Sequence, residues 1–285
     1  SIQTLERVYK HYYFIIRGRI NCMGIYILFL LVSFGASIIG AICGIGGGVI
    51  IKPVLDAFGV LSVGTISFLS SCTVLSMSCY SVVRSKTAGD SGIDVKTGTP
   101  LAIGAAAGGV AGKMMFQYLS GLFTDAEMVG AIQAGCLMII TVGTLIYTIK
   151  KDKIKTHRMT NLWVCLAIGL LLGIMSSFLG IGGGPVNLVV LFYFFSMDTK
   201  TAAANSLYII LFSQIASLLN TLLTRTVPDF DALLLIMMII AGILGGMSGR
   251  AINKKIDSKT VDKLFIWLMV VLIVINVYNV YRFLT

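Results

Sequence analysis

The chain has few charged residues for its length. Only 12% of its 285 residues are charged, about half the share in an average soluble domain. A soluble protein of this size needs a charged surface, and 22 basic plus 12 acidic side chains are too few to supply one. The shortage excludes an ordinary soluble enzyme, a disordered chain and a secreted disulfide scaffold. Because 57% of the residues are hydrophobic, we expect an all-α polytopic membrane protein.

Metal-binding and catalytic side chains are also scarce. The two histidines, His11 and His157, lie in charged flanks, so neither is placed to act inside an apolar run. The six cysteines form no CxxC pair, and buried thiols usually behave as small apolar groups. We therefore expect no disulfide framework, no zinc site and no cofactor. Serine–histidine catalysis within the membrane lacks its histidine, and an aspartyl pair has only Asp56 in reach, so no enzyme activity and no catalytic residue is expected.

Uncharged runs predict eight membrane spans, at about 20 residues per bilayer crossing. Residues 1–23 form a basic lead-in, expected to lie at the membrane surface and not to be a signal peptide, because no small-residue cleavage site follows it. The run 159–197 is too long for one span and is expected to break at its glycine cluster. The predicted spans are 24–43, 60–83, 97–122, 128–149, the first part of 159–197, 201–224, 232–249 and 264–281.

Two sequence motifs recur in the second half of the chain. The cluster Gly-Ile-Gly-Gly-Gly at 44–48 returns at 180–184, and a glycine-rich stretch ending in Lys113 returns ending in Arg250. The two offsets are nearly equal, and we call this common offset the repeat shift. It predicts an internal duplication, with a first repeat at 24–149, a basic loop at 150–160 and a second repeat at 161–285. Each repeat is expected to hold four spans and one broken or re-entrant glycine-rich segment.

The distribution of basic residues predicts an orientation. An even number of spans per repeat would give both halves the same direction, related by an axis along the membrane normal. We expect the protein to lie in the plasma membrane of a bacterial cell. Counting Lys and Arg on the two sides of the membrane then places both termini in the cytoplasm. The basic cluster at 250–263 would face outward in this arrangement, and an odd number of crossings in one half is the alternative that would explain it.

The paired glycine clusters are the strongest functional feature. Each should break a helix and begin a new one, near Val49 in the first half and at Pro185 in the second. Irregular backbone within a bilayer is tolerated only where protein buries it or where it lines a cavity. The N–H groups and positive dipole end of the new helix favour an anion. Gly108, Gly109 and Gly112, with Gly245, Gly246 and Gly249, are instead predicted to allow close helix packing.

Uncharged polar side chains follow each glycine cluster and suit a small anion that must bind and leave. The competing interpretation is that these hydroxyl groups bond to their own helices. The predicted substrate-binding residues are Gly44, Gly46, Gly47, Gly48, Gly180, Gly182, Gly183, Gly184, Pro185, Asn187, Ser67, Ser70, Ser71, Asn205, Ser206 and Gln214.

Lys52 and Asp56 lie four residues apart on one helix face after the first cluster. Ionisable residues inside a membrane are functional candidates, so Lys52 would add positive potential or Asp56 would take a coupling proton. The alternative is that Lys52 extends to the membrane interface. Leu188 replaces Lys52 in the second half, so either role is asymmetric.

The glycine clusters, the number of spans and the basic central loop resemble the TauE/SafE sulfite exporter family, also called the TSUP permeases. The matching motifs are 44–48, 180–185 and the segment 201–206, and the resemblance extends from Gly24 to about Tyr281. It implies ATP-independent transport of small sulfur-containing anions such as sulfite or organosulfonates. The first half departs from the pattern at Lys52, which argues against a fully symmetric site.

We therefore expect a secondary transporter of a small anion that works by alternating access between its two repeats. An anion channel built on the same broken helices and a non-transporting membrane scaffold subunit are the alternatives. The expected partners are the lipid bilayer and a small anionic substrate. Nucleic acid is excluded despite the net charge of +10, because no basic soluble domain is present to bind it. The sequence leaves open a coupling ion, proton or sodium, and assembly into a homo-oligomer.

Overall fold

The structure, a computed structural model, describes residues 2–87, 92–122 and 126–284, with side chains from residue 23 onward except at 126 and 152. These parts of the chain form ten α-helices and one 3-10 turn, without a β-strand, as the predicted all-α class requires. The helices are α1 (Ile2–Cys43), α2 (Gly48–Phe58), α3 (Val63–Thr87), α4 (Val95–Leu122), α5 (Ala126–Lys150), α6 (Leu162–Phe178), α7 (Pro185–Phe195), α8 (Thr199–Leu223), α9 (Ala232–Lys255) and α10 (Ser258–Leu284).

Six of the helices within the described residues are long and apolar enough to cross a membrane: α1 from Met23 onward, α3, α5, α8, α9 and α10. Two more were predicted as spans. Helix α4 has sufficient length, but Lys96, Lys113 and its many glycines lower its hydropathy, and α6 has only 17 residues. Residues 2–43 form one continuous helix, so no helix boundary separates the basic lead-in from the first span.

Both glycine clusters interrupt the helical path, as predicted. Helix α1 ends at Cys43 and α2 begins at Gly48, while α6 ends at Phe178 and α7 begins at Pro185. Pro185 occupies the start of its helix, where the missing N–H costs no hydrogen bond. Each half of the chain therefore contains four longer helices and one short helix of 11 residues.

Glycine surfaces bring α1 against α9 and α4 against α6. A Cβ added at Gly245 would lie 2.6 Å from the Phe34 carbonyl oxygen, and one at Gly249 would overlap the Ile38 carbonyl. Glycines 104, 108 and 112 of α4 meet the α6 backbone in the same way, and Gly109 faces α8 while Gly246 faces α3. The predicted packing role of these glycines is confirmed, because a side chain at any of them would separate the helices.

The same contacts give the helix directions. Residue numbers rise together along α1 and α9, so these helices are parallel, and the same holds for α4 and α6, where Gly169 faces Leu101 and Gly173 faces Ala105. Helices α3 and α9 are also parallel, since Phe68 stacks near Phe230 at one end and the Arg250 side chain donates to the Ser81 carbonyl at the other.

Helices α3 and α8 run in opposite directions. Lys86, near the end of α3, lies 5.3 Å from the ring centre of Tyr208 in the first half of α8. Helix α8 is in turn parallel to α4, since Gly98 faces Asn205 and Gly109 faces Ser213. Helices α1, α3 and α9 thus point one way, and α4, α6 and α8 point the other way.

The prediction that both halves share one direction is therefore wrong. Helices α1 and α6 occupy corresponding places in the two halves, yet they are antiparallel. The physical reason lies in the two short helices. Helix α2 runs back toward the end where α1 began, and α7 runs back toward the end where α6 began. Counted with its short helix, each half therefore has five helices of alternating direction. An odd number of passages inverts the second half relative to the first.

The inverted arrangement gathers most of the positive charge at one end of the molecule, here called the basic end. This end contains the last turn of α3, the first turn of α4, the segment 150–161, the start of α8 and the α9–α10 turn. Its basic residues are Arg84, Lys86, Lys96, Lys150, Lys151, Lys153, Lys155, Arg158, Lys200, Arg250, Lys254, Lys255, Lys259 and Lys263. The opposite end has fewer: Lys113, Arg225 and Arg282, together with Arg7, Lys10, Arg17 and Arg19 in the part of α1 that precedes the first span.

Candidate functional site

The two glycine turns meet in the interior of the protein. A Cβ on Gly48 would overlap the Ile181 carbonyl oxygen, and one on Gly183 would lie 3.1 Å from the Ile45 carbonyl oxygen. A Cβ on Gly46 would be 3.8 Å from the Gly182 carbonyl oxygen. The backbone of each turn is thus packed directly on the backbone of the other, which brings the predicted glycines of both halves into one place.

Left-handed backbone makes glycine necessary at four of these positions. The φ angles of Gly44 and Gly46 are 75° and 72°, and those of Gly180 and Gly182 are 65° and 68°. A residue with a side chain would be strained there by roughly 1–2 kcal/mol each. The two turns therefore have matching conformations at positions related by the repeat shift.

Each turn leads into the N-terminus of a short helix. Gly47 precedes α2 and Gly184 precedes α7, and neither has a side chain that could cap the helix. The first N–H groups of a helix have no partner within it, and they carry the positive end of the helix dipole. Two such ends beside the paired turns form an environment that favours an anion.

One face of α3 and one face of α8 cover the turns. On α3, Ser67 lies against Gly180 and Val74 lies against Gly46 and Gly182. On α8, Ala203 lies against Gly44 and Ile210 against Gly46 and Gly183. Residues three or four apart share a helix face.

The serine midway along each covering face is therefore directed to the turns. These residues are Ser70 on α3 and Ser206 on α8, and the repeat shift relates one to the other. Both predicted serines are fully buried. Ser71, one position along α3, is half-buried.

Several buried polar atoms around the turns have no hydrogen-bond partner within the protein. They include the hydroxyl groups of Ser70 and Ser206, the amide oxygen of Asn187 and both amide atoms of Gln214. Gln214 is 1% exposed, and a Cβ added at Gly182 would lie 3.2 Å from its amide carbon. Burying polar groups without partners costs roughly 1–3 kcal/mol each, so these side chains are the candidate ligand-binding groups of the site.

Asn205, unlike the other predicted polar residues, has hydrogen-bond partners for its side-chain amide. Its amide nitrogen donates to the carbonyl groups of Gly92 and Thr201 at 2.8 Å each, and its amide oxygen accepts from the Asp94 N–H at 3.0 Å. These bonds hold the segment before α4 against α8. The Asn205 amide thus forms hydrogen bonds between α8 and the segment before α4, and it does not point to the glycine turns.

Lys52 and Asp56 form a buried ion pair with an N–O distance of 2.6 Å, and each is about 4% exposed. A Cβ added at Gly180 would lie 3.3 Å from the Lys52 side chain, so this ammonium-bearing chain passes the second glycine turn. Arg282 of α10 donates to the Asp56 carbonyl group, and one carboxylate oxygen of Asp56 has no partner. Lys52 is therefore buried, paired with Asp56 and packed against the second glycine turn.

Sequence reasoning missed the apolar contacts of the site. Val74 and Ile210 touch both glycine turns and correspond to each other in the two halves, so the repeat shift was the available signal. Ser37 was missed as well; a Cβ on Gly47 would lie 3.2 Å from its hydroxyl oxygen. Within the described residues, no three His, Cys, Asp or Glu side chains gather as metal ligands would.

Apolar helices around a polar, glycine-built centre define an integral membrane protein of the multi-pass helical class. The chain belongs to the sulfite exporter TauE/SafE family, whose family model matches residues 29–275. It is 25% identical to the probable membrane transporter protein YunE of Bacillus subtilis, over 90% of this chain and 98% of that protein. It is 28% identical to the probable membrane transporter protein MJ0441 of Methanocaldococcus jannaschii, over 81% and 88% respectively. No solved structure matches.

Replacing Gln214 by leucine separates a binding role from a structural one. Because both amide atoms lack partners, we expect Gln214→Leu to leave the melting temperature unchanged or to raise it. We expect the same variant to weaken substrate binding about tenfold, which corresponds to roughly 1.4 kcal/mol. Thermal unfolding and binding of labelled anion, both in detergent, provide the two measurements.

Asn205→Leu is the matched control. It removes three hydrogen bonds, each worth about 1 kcal/mol, and should lower the melting temperature by several degrees. A Gln214 variant that melts early and binds normally would contradict the assignment.

Proposed function

We propose that the protein is a secondary transporter of a small anion, bound where the two glycine turns meet. The observation that carries this proposal is the pair of left-handed turns at the centre of the molecule, surrounded by buried polar side chains that lack partners. Ser70, Ser206 and Gln214 offer uncharged donors, and the starts of α2 and α7 offer backbone N–H groups. Such contacts hold an anion without binding it too tightly for release.

The substrate class follows from the family. Its description as a sulfite exporter supports sulfite, or another sulfur-containing oxyanion such as an organosulfonate, as the cargo. Alternating access would arise from movement of one inverted half against the other about the turns, as in other transporters built from inverted repeats. Val74 and Ile210 would then act as apolar gates, since each contacts both turns.

The proposal includes eight spans and a duplicated architecture. Helices α4 and α6 pack along each other through glycines just as α9 and α1 do, and these pairs correspond under the repeat shift. Because α1 and α9 are candidate spans, their counterparts α6 and α4 should cross the membrane too.

The basic end should face the cytoplasm, because Lys and Arg accumulate in cytoplasmic loops. Helix α1 enters and α10 ends at the opposite end, so this orientation places both termini outside, contrary to the sequence-based expectation.

Membrane-impermeant thiol reagents should then label Thr201→Cys, at the start of α8, in inverted vesicles and not in intact cells. Labelling in intact cells alone would reverse the assignment.

Flux through purified protein in proteoliposomes tests the function itself. Sulfite, sulfate, a sulfonate and a small carboxylate should be compared, with and without imposed pH and sodium gradients. We expect saturable uptake and counterflow for at least one sulfur oxyanion. Large single-channel currents would show a channel instead, and absence of flux for every anion would favour a scaffold.

Two glycine substitutions, one in the second glycine turn and one in a control position, test whether the turn is required for flux. Gly182→Ala forces a side chain into left-handed backbone 2.9 Å from Val74, so it should abolish flux. Gly135→Ala on α5 meets no atom within 4 Å and should leave flux intact. Size-exclusion profiles verify that both variants fold, and equal flux in a folded Gly182→Ala protein would refute the site.

The Lys52–Asp56 pair is the proposed coupling element. When an anion arrives beside Gly180, the Lys52 ammonium group can exchange its carboxylate partner for the anion. Asp56, buried and left without its cation, would then take a proton, because an isolated buried carboxylate is strongly disfavoured. The groups that face Asp56 in the described structure are Lys52 on its own helix and Arg282 on α10.

Asp56→Asn imitates the protonated aspartate permanently. We expect this variant to retain anion counterflow and to lose accumulation driven by a pH gradient. Lys52→Gln should lose both, since the anion loses its cation. Unchanged pH-driven accumulation in Asp56→Asn would exclude Asp56 as the proton carrier and leave sodium as the coupling ion to examine.

A further inference from the structure

A cavity at the basic end leads toward the first glycine turn. Its outer part has a volume of about 300 Å³, and an inner part of about 60 Å³ continues from it. Both parts are lined by Ser85, Lys200, Ala204, Arg250 and Asn253. We name these joined cavities the basic vestibule.

The inner part of the vestibule reaches the site already described. Ala41 and Ala203 line it, and a Cβ added at Gly44 would overlap Ala203. The vestibule therefore ends beside the first glycine turn, one residue layer from the proposed binding place.

The vestibule carries positive charge. Lys200 and Arg250 line both parts and Lys254 lines the outer part, while none of its lining residues in the described chain is a carboxylate. The Arg250 side chain donates to the Ser81 carbonyl at 3.2 Å, and that of Asn253 donates to the Ile42 carbonyl at 2.6 Å. These bonds fix both side chains against the walls, on α3 and α1.

This charge is not a by-product of the duplication. The positions that correspond under the repeat shift, at the opposite end, hold Gly64, Phe116 and Gln117 in place of Lys200, Asn253 and Lys254. Lys113 corresponds to Arg250, and its ammonium group lies 5.1 Å from the centre of the Phe116 ring. The two ends therefore differ in chemistry although their helices correspond.

We propose that the basic vestibule is a second anion site, which captures the substrate oxyanion at the basic end before it moves to the glycine turns. This proposal rests on the transport function proposed above. Like-signed charge lining a low-dielectric cleft raises the local concentration of oppositely charged ligand and speeds its association. At the opposite end only Lys113 corresponds to a vestibule cation, and Gly64 and Gln117 replace Lys200 and Lys254. The effect should therefore be stronger for anion that enters from the basic end.

Side-resolved kinetics test the capture role. Lys200→Gln and Arg250→Gln should raise KM for anion supplied from the basic end about threefold to tenfold, with kcat within about twofold, and the effect should shrink at high salt. KM from the opposite end should not change. Lys263→Gln, an exposed residue at the same end outside the vestibule, is the charge-matched control. Equal KM changes from both ends, or in the control, would overturn the proposal.

A chemical measurement does not depend on transport. Thr201→Cys, combined with Cys79→Ser to remove an exposed thiol, places a thiol in the outer vestibule. An anionic thiosulfonate reagent should modify it faster than a cationic one, and Arg250→Gln should lower this rate ratio about threefold. Lys263→Gln should not lower it. An unchanged ratio refutes the vestibule even where flux is present, whereas a lowered ratio without flux refutes only the proposed transport function.

Discussion

The contact between the two glycine turns is the constraint on which the rest of the structure depends. Gly48 and Gly183 allow the backbone of one half to touch the carbonyl groups of the other, and at Gly48 the separation leaves no room for a Cβ. The left-handed conformations that produce the turns are themselves accessible mainly to glycine. Every helix that packs on the turns must therefore leave a backbone-to-backbone contact undisturbed at the centre of the protein.

The long-range packing of the helices supports this contact. Helices α1 and α6, which lead into the turns, are held by α9 and α4 through glycine surfaces in which Gly108 and Gly249 allow close approach. Without a hydrophobic force between helices in lipid, such close van der Waals packing is a main source of association. The two halves are inverted, so the turns approach the centre from opposite ends and their helix dipoles converge there. A pair of halves with the same direction would have stacked both turns toward one side.

The few charged side chains are distributed unevenly between the interior of the protein and its two ends. The chain has few ionisable residues, and the proposed binding site draws its positive potential from backbone N–H groups and from Lys52. Asp56 neutralises that lysine at 2.6 Å, because an unpaired buried charge would be strongly destabilising. Most of the remaining basic residues lie at one end, where Lys200 and Arg250 line a cavity. The +10 net charge of the chain therefore describes its surface and vestibule more than its proposed binding site.

The sequence by itself determined the helical class, the two breaks and the residues at them, because glycine clusters and uncharged runs act locally. It did not determine the inversion of the halves, since counting spans cannot show that a short helix turns back. Nor could it separate Asn205, whose amide forms three hydrogen bonds, from Ser206 beside it. The repeat shift relates Val74 to Ile210, but it relates many other apolar residues in the same way and so does not single them out. Those roles depend on which faces of α3 and α8 meet the turns, and packing between segments far apart in the chain decides that.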